Sequence, residues 1–557
     1  MKKTILLAAA LLSLVSCSDF LKEESRTELS KEQYMNNASE AENVLLGVYS
    51  SASSTSMYGY NLSILFSLGT DMEQVEGSST ERFRIIPTNA YPTTQLEVQQ
   101  AWAALYSGIY SANDFIEGIS VKMKSYTDED KDLATIYIAE ARAIRAWYYF
   151  ELVRRWNRIV LMTDTAQSEW DPTQFKIADP RDVYEFIEKD LTYAADILPW
   201  ATSDIYRNDN SYRFSKGAVL GLLAKVYATW AGYPIYDESK WQLAAEAAGE
   251  VINSGKHNLL PDFEQLWKNT CNGIWDPTES LIEVSFYSPT VTGSSDPVGR
   301  IGKWNGVRTT AVAGVRGSCA GNVKVVYPFV DEWRSHKGDL REPLSVANYR
   351  YYDNDDIPDL WVRGSNDSQE TALANDADPT KKQKEKQNYT PAKWDVEKYV
   401  DGANYLLNND NSNVNWYFLR YADVLLLYAE ALNEWKGGPT PEAYAAVNKV
   451  RRRGYGNPTD GSADLAEGMS QEEFRQAVRK ERGYELAFEG HRRLDLVRWG
   501  IYYETVQDTY EALASWWESD GSFNYTVRRY TVKGQHEFMP IPQRDVDLCK
   551  FEQNPKW

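Results

Sequence analysis

The sequence is poor in the side chains from which most catalytic and metal centres are built. Four histidines occur in 557 residues, His257, His336, His491 and His536. None forms an HExxH pair or a close His/Cys cluster, so a zinc site is not expected. Four cysteines, Cys17, Cys271, Cys319 and Cys549, are too few and too scattered for a disulfide framework, and stability must come from core burial. Glycine loops of the P-loop or dinucleotide kind are absent. Positive charge is in deficit, with 60 Lys+Arg against 80 Asp+Glu and a net charge of −20. Such a chain repels phosphate backbones, which argues against nucleic acid and against a polybasic membrane-surface role.

What is present begins at the N-terminus. Lys2 and Lys3 precede an apolar run, Ile5 to Val15, about half the ~20 residues a spanning helix needs. Leu14-Val15-Ser16-Cys17 has the form of a lipoprotein cleavage site, so residues 1–16 are expected to leave as a signal peptide and Cys17 to be acylated. An acyl-glycerol Cys carries enough chains for stable anchoring, where a single chain is marginal. Ser18-Asp19-Phe20-Leu21-Lys22-Glu23-Glu24 then reads as an acidic tether. The aromatic inventory is also distinctive: 37 Tyr and 19 Trp against 17 Phe. Such rings can stack on a sugar's C–H face while hydroxyl or indole N–H bonds its hydroxyls. For any single ring, packing between helices is the more economical role.

Helical periodicity dominates three stretches. In Gln99 to Ile119, Trp102, Leu105, Tyr106, Ile109, Tyr110 and Asn113 recur at three- and four-residue steps, and Asp130 to Trp156 follows. Phe214 to Gly232 and Ser239 to Asn253 form a helical hairpin ended by Gly255. A last helical stretch begins near Trp416, is broken at Gly437-Gly438-Pro439, restarts after Thr440, and resumes at Ser470 with a capping box to Glu473. Small residues at close-approach positions (Ala224, Ala228; Ala429, Ala431; Ala445, Ala446) give these pairs a tetratricopeptide-like texture without a continuous repeat. From 255 to 415 the texture changes to short β-like runs, Leu281–Phe286, Val323–Val326 and Leu344–Tyr352. The stretches Ser67–Val98 and Asp367–Pro391 are long and irregular. Long irregular insertions in compact domains are where sites concentrate.

Motifs spaced along nearly the whole chain carry a resemblance. They are Cys17-Ser18-Asp19-Phe20-Leu21, WAALYSGIYSANDFI at 102–116, AEARAIRAWYYFELVRRW at 139–156 and RFSKGAVLGLLAKVYA at 213–228. They continue as LRYADVLLLYAEALNE at 419–434, VNKVRRRGYG at 447–456, ERGYELAFEGHRRLDLVRWG at 481–500 and MPIPQRDVDLCKFEQNPKW at 539–557. In this order the chain resembles the RagB/SusD family of outer-membrane nutrient-binding lipoproteins. The resemblance implies a mostly α fold, four tetratricopeptide-like hairpins supporting an irregular lobe with short strands. Residues 17–557 would form one such domain, its scaffold mainly 30–66, 99–254 and 416–557 and its ligand lobe mainly 67–98 and 255–415. It also implies a partner, a TonB-dependent outer-membrane barrel, and a place on the cell surface held by the lipid anchor. One departure stands at Arg155-Trp156-Asn157-Arg158-Ile159-Val160-Leu161, where the family often has a glycine-containing element. The shared motifs are mostly scaffold. Glu481, Arg482, Glu485, Glu489, Arg492, Arg493, Asp495 and Arg498 have the character of a charged network at helix ends, costly to break but not catalytic.

The expected function is therefore capture of oligosaccharide and delivery to the transporter, without cofactor, metal or catalysis. The candidate ligand-binding residues come from the two irregular regions: Arg82, Phe83, Asn89 and Tyr91 in the first, Trp304, Asn305 and Arg308 in the second, with Tyr58 and Tyr60 as weaker choices. Aromatic rings would lie under the sugar and Arg or Asn groups would bond its hydroxyls, discriminating through the penalty on unpaired polar groups. A surface glycosidase remains the alternative from another class, since two carboxylates suffice and 80 acids are available; a peptide-binding or scaffold lipoprotein is a third. Gly317-Ser318-Cys319-Ala320-Gly321 imitates a nucleophile elbow, but β-like sequence follows where that turn needs a helix. Asp353-Asn354-Asp355-Asp356 could offer oxygens to Ca²⁺ but lacks the EF-hand glycine and glutamate.

Overall fold

Helix ends are written plainly in this chain, and they set the frame. A computed structural model describes residues 34–77, 80, 82–201, 212–287, 299–351, 359–360, 388–402, 411–516 and 524–557. The leader, Cys17, its acidic tether and the Asp353–Asp356 turn lie outside the described residues, as does most of Asp367–Pro391. Asn37 caps α1 (Ala38–Ser50) by accepting from the Glu40 N–H, and Thr127 caps α3 (Asp128–Trp156) by accepting from Asp130. Between them runs α2 (Leu96–Lys122), which buries Trp102, Leu105, Ile109, Ala112 and Phe115. Asp179 caps α4 (Pro180–Ile197), whose proline at the first turn lacks only an N–H the helix would leave unbonded.

The next pair is α5 (Lys216–Trp230) and α6 (Lys240–Asn253). A short α7 (Phe263–Cys271) and α8 (Tyr327–Ser335) stand in the irregular part. The C-terminal third supplies α9 (Tyr421–Lys436), α10 (Pro441–Gly454), α11 (Gln471–Glu485), α12 (Arg492–Arg498), α13 (Tyr502–Trp516) and α14 (Gln543–Cys549). Ser470 and Glu473 form the reciprocal capping box expected at the start of α11.

The helices pack as hairpins: α2 on α3, α3 on α4, α5 on α6, with α9 receiving α6, α10 and α11. From Tyr137 to Trp156 every residue of α3 but Arg142 is buried, so its charged side chains there are enclosed along with its apolar ones. Close approach depends on Gly108, where a Cβ would lie 2.5 Å from the Tyr148 ring. The end of α3 falls in the Arg155–Leu161 segment singled out above. Asn157 takes φ +61° and its N–H bonds Val153 O at 2.8 Å, so an asparagine supplies the positive-φ stop.

Strands are few and short among the described residues. β2 (Ser280–Val284) pairs antiparallel with β4 (Trp416–Arg420), and β1 (Glu73–Val75) with β3 (Val323–Val325). Here one expectation is corrected. Trp416–Arg420 is strand, and the helix starts at Tyr421. All five residues of each strand in the β2–β4 pair are buried, and the bulky WYFLR run suits a pleated surface enclosed on both faces. Phe263–Cys271, read as part of a β-like region, is helix. The Leu344–Tyr352 run contributes two-residue ladders only.

Inside the helical frame lies a buried ionic network organised by the 481–500 motif. Glu485 accepts from Arg420 and Arg453 at 2.5 Å each and from Arg341 at 3.0 Å. Glu489 accepts from Arg420 at 2.8 Å and Lys393 at 2.7 Å. Glu279 bonds Arg420 and Arg453, both at 3.0 Å. A second set joins Arg482 to Asp423 at 2.7 Å and to Asp495, with Arg498 bonded to Glu430 at 2.7 Å. Burial works to raise the Glu485 carboxyl, but Arg453, Arg420 and Arg341 together hold it well below the ordinary carboxylate range.

Removing one partner strands the others without water. Arg420→Met is expected to cost about 3–5 kcal/mol, read as a lowered denaturant midpoint, with Arg420→Lys failing to restore it because the fork of bonds is lost. A midpoint within a few tenths of wild type would refute the role. The network also predicts acid lability. His491 is enclosed beside Lys225 Nζ at 3.1 Å; burial and then the Lys225 ammonium pull its imidazole from 6.5 to about 3. The unfolded chain then binds the proton more tightly, so stability present above pH 6.5 is lost as pH falls towards 3. Melting temperature should decline through this range, and His491→Gln should flatten the decline; equal slopes would assign the lability to other groups.

Candidate functional site

The two irregular regions meet at the β1–β3 pair, where Gln74 stands opposite Lys324. Backbone bonds extend the join: Glu76 N–H to Asn322 O at 2.7 Å, Asn322 N–H to Trp304 O at 2.9 Å, and Arg300 N–H to Gly59 O at 2.9 Å. These bonds bring three rings together. Trp304 meets Phe83 edge-on at 4.3 Å between centroids and Tyr60 at 4.8 Å. Asn305 Oδ1 accepts from Gly302 N–H at 2.8 Å and so fixes the turn that carries Trp304.

Cations surround the rings. The Arg84 guanidinium lies 4.4 Å from the Phe83 centroid and its Nε donates to Glu76 O at 2.6 Å. Arg300 lies 4.8 Å from the Tyr60 ring. Arg308 reaches Glu76 at 3.6 Å with its side chain 47% exposed, and Arg82 is exposed on a backbone of φ +52°. Lys324 is buried next to Glu76 and Arg308. Burial pulls its ammonium down to about 8, against the pull of Glu76 in the other direction.

Of the residues singled out in the sequence, Phe83 and Trp304 meet here with Tyr60, Arg308 reaches Glu76 beside them, and Arg82 is exposed next to Phe83 in the chain. Asn305 supports the cluster from below. The rings offer less surface than expected: Trp304 is 7% and Tyr60 8% exposed, and Phe83 is half-buried. Asn89 and Tyr91, expected beside these residues, lie apart from the cluster and buried. The Asn89 amide donates to Tyr502 Oη at 2.9 Å and Thr531 Oγ1 at 2.8 Å and accepts from Arg493 at 2.8 Å, which leaves it no surface. Tyr91 is buried against Trp557 and His536, and Tyr58 against Trp147. Glu76, Arg84, Arg300 and Lys324 were missed. Arg84 was within reach, since Arg82-Phe83-Arg84 brackets a chosen ring; Glu76 and Lys324 emerge only from a pairing across some 250 positions of sequence.

The elbow-like Gly317–Gly321 motif is not set up as a nucleophile. Cys319 is buried, its backbone bonds Thr309 in both directions at 3.0 Å, and burial pushes its thiol up to about 11. β3 follows it rather than a helix. Among the described residues no group of three or more His, Cys, Asp or Glu side chains could hold a metal ion.

The sequence profile described as SusD family matches residues 330–557, and a second, described as starch-binding associating with outer membrane, matches residues 19–228. A solved SusD homologue from Bacteroides thetaiotaomicron is 67% identical, covers 96% of this chain and all of its own, and superposes with a TM-score of 0.93. SusD-like protein P2 of Formosa agariphila is 27% identical over 89% of this chain and 90% of its own length. A laminarin-binding SusD-like protein shares the fold at 23% identity and TM-score 0.67, over 94% of this chain and all of its own. No helix among the described residues is long and apolar enough to cross a membrane. With a relative this similar along nearly its full length and profiles matching both ends, the chain belongs to the SusD family.

Proposed function

We propose that this protein binds glycan at the cell surface and passes it to a TonB-dependent outer-membrane transporter, with the site on the join between the 60–84 and 300–324 segments. The observation that carries the reading is the meeting of Phe83 with Trp304 and of Glu76 with Arg308, from segments more than 200 positions apart in sequence, at the β1–β3 join of a SusD frame. A half-buried ring held edge-on by Trp304 is pre-organised, so little side-chain freedom is lost when a sugar settles against it. Guanidinium groups beside it supply donors to ring hydroxyls. The laminarin-binding relative supports a saccharide ligand. A shallow site gives modest affinity, and tethering beside the transporter would raise the effective concentration to compensate.

The test is affinity electrophoresis of the purified protein through a broad set of polysaccharides, with soluble peptides assayed in parallel. The expected result is retardation by at least one polysaccharide class, with the glycan recovered intact after overnight incubation. Phe83→Ala should weaken binding about tenfold, the equivalent of 1.4 kcal/mol. Asn89→Ala should instead lower thermal stability by about 1–3 kcal/mol, from buried groups left unpaired, and bind normally wherever it is folded. Binding of peptides and of no glycan would sink the reading, and shortening of the glycan would revive the glycosidase.

A further inference from the structure

The charge at this join is opposite to that of the molecule. In a chain of net charge −20, the residues gathered on and beside the ring cluster are Arg82, Arg84, Arg300, Arg308 and Lys324. Among the described residues, Glu76 is the acid set against Arg308 and Lys324, and Arg308 stands 3.6 Å from its carboxylate, longer than a charge-assisted hydrogen bond. Arg84 is bonded to the Glu76 backbone carbonyl and not to its carboxylate.

The exposure pattern points the same way. A site built to stack neutral sugar would present ring faces. Here Trp304 and Tyr60 are nearly covered, and Phe83 carries the Arg84 guanidinium 4.4 Å from its centroid. The groups most open to solvent are Arg82 and Arg308. Arg82 is exposed and sits on a left-handed backbone, a conformation that costs a non-glycine residue energy. Arginine rather than lysine on the rim matters, because its planar fork matches a carboxylate or sulfate with two parallel bonds. Long-range repulsion from the acidic body does not oppose this, since it is screened beyond about 8 Å at physiological ionic strength.

Resting on the glycan-binding reading, we propose that the ligand is an acidic saccharide, whose carboxylate or sulfate group sits between Arg82, Arg84 and Arg308 while the sugar ring rests against Phe83. The two anions share this chemistry, a planar or tetrahedral oxyanion accepting from several guanidinium N–H groups. Lys324 is buried next to Arg308 and Glu76, and a bound oxyanion would favour its charged form.

The experiment uses purified full-length protein in detergent and immobilised polysaccharides: polyuronates, sulfated galactans, and neutral glucans, galactans and mannans. The best acidic binder is then compared with its own carboxyl-reduced or desulfated form, which separates the two sources of charge. The expected result is that an acidic polymer binds best and that its neutralised form binds about ten- to a hundredfold more weakly, the scale of a hydrogen bond to a charged group. Arg308→Gln and Arg84→Gln should each reproduce that loss while melting as wild type does, and Arg308→Lys should recover part of it. The proposal is overturned, with glycan binding left standing, if a neutral polysaccharide binds best or if neutralising the ligand changes nothing. It is also overturned if both Gln variants bind the acidic polymer as tightly as wild type. If no polysaccharide of any kind binds, the broader reading falls and this one with it.

Discussion

Everything in this structure hangs on an exchange of buried charge around the 481–500 segment. Glu485 and Glu489 reach the strand that starts α9, through Arg420, and the irregular lobe, through Arg341 and Lys393. Arg482 ties α11 to α9 and α12 through Asp423 and Asp495. Buried ion pairs are a poor source of net stability, because desolvation consumes most of the Coulombic gain. Their directional demands are another matter. Each guanidinium fork accepts few alternatives, so the network fixes how hairpins separated by hundreds of residues sit on one another.

The same segment reaches the ligand side. Arg492 bonds Asp71 at 2.6 Å, and Arg493 donates to Leu68 O at 3.0 Å and to Asn89 at 2.8 Å. The loop carrying Arg82 and Phe83 is therefore pinned at both ends by consecutive arginines of one helix. That explains how a stretch without regular secondary structure can hold side chains in place. It also explains why Asn89 is not available to ligand: its work is to receive Arg493.

The frame was largely legible in the sequence because it is written in local terms. Caps such as Thr440 and Ser470, the glycine stop at Gly437 and three- and four-residue apolar steps each specify a helix end or face without reference to the rest of the chain. Legibility failed where context overrode pattern. Trp416–Arg420 continues smoothly into a helical periodicity, yet it is strand because Ser280–Val284 lies beside it. The site was half legible. Residue type and loop location pointed to Phe83, Trp304 and Arg308, which the fold brings to the proposed site, but could not tell Asn89 or Tyr91 from them, since burial is decided by partners such as Arg493 and Trp557 that lie more than 400 residues downstream. Exposure favours the guanidinium groups over the nearly covered rings, and sequence does not encode exposure directly.

The β1–β3 pair has a consequence for how the protein comes to be functional. Three residue pairs close a loop of about 250 residues, and closure of that size carries an entropic cost that three pairs alone are poorly placed to offset. The ladder is expected to form only after the intervening hairpins have shortened the effective distance, late on the folding path. The edge proposed to bind glycan is then among the last parts of the molecule to form. A chain that has captured ligand has, by that fact, completed its fold.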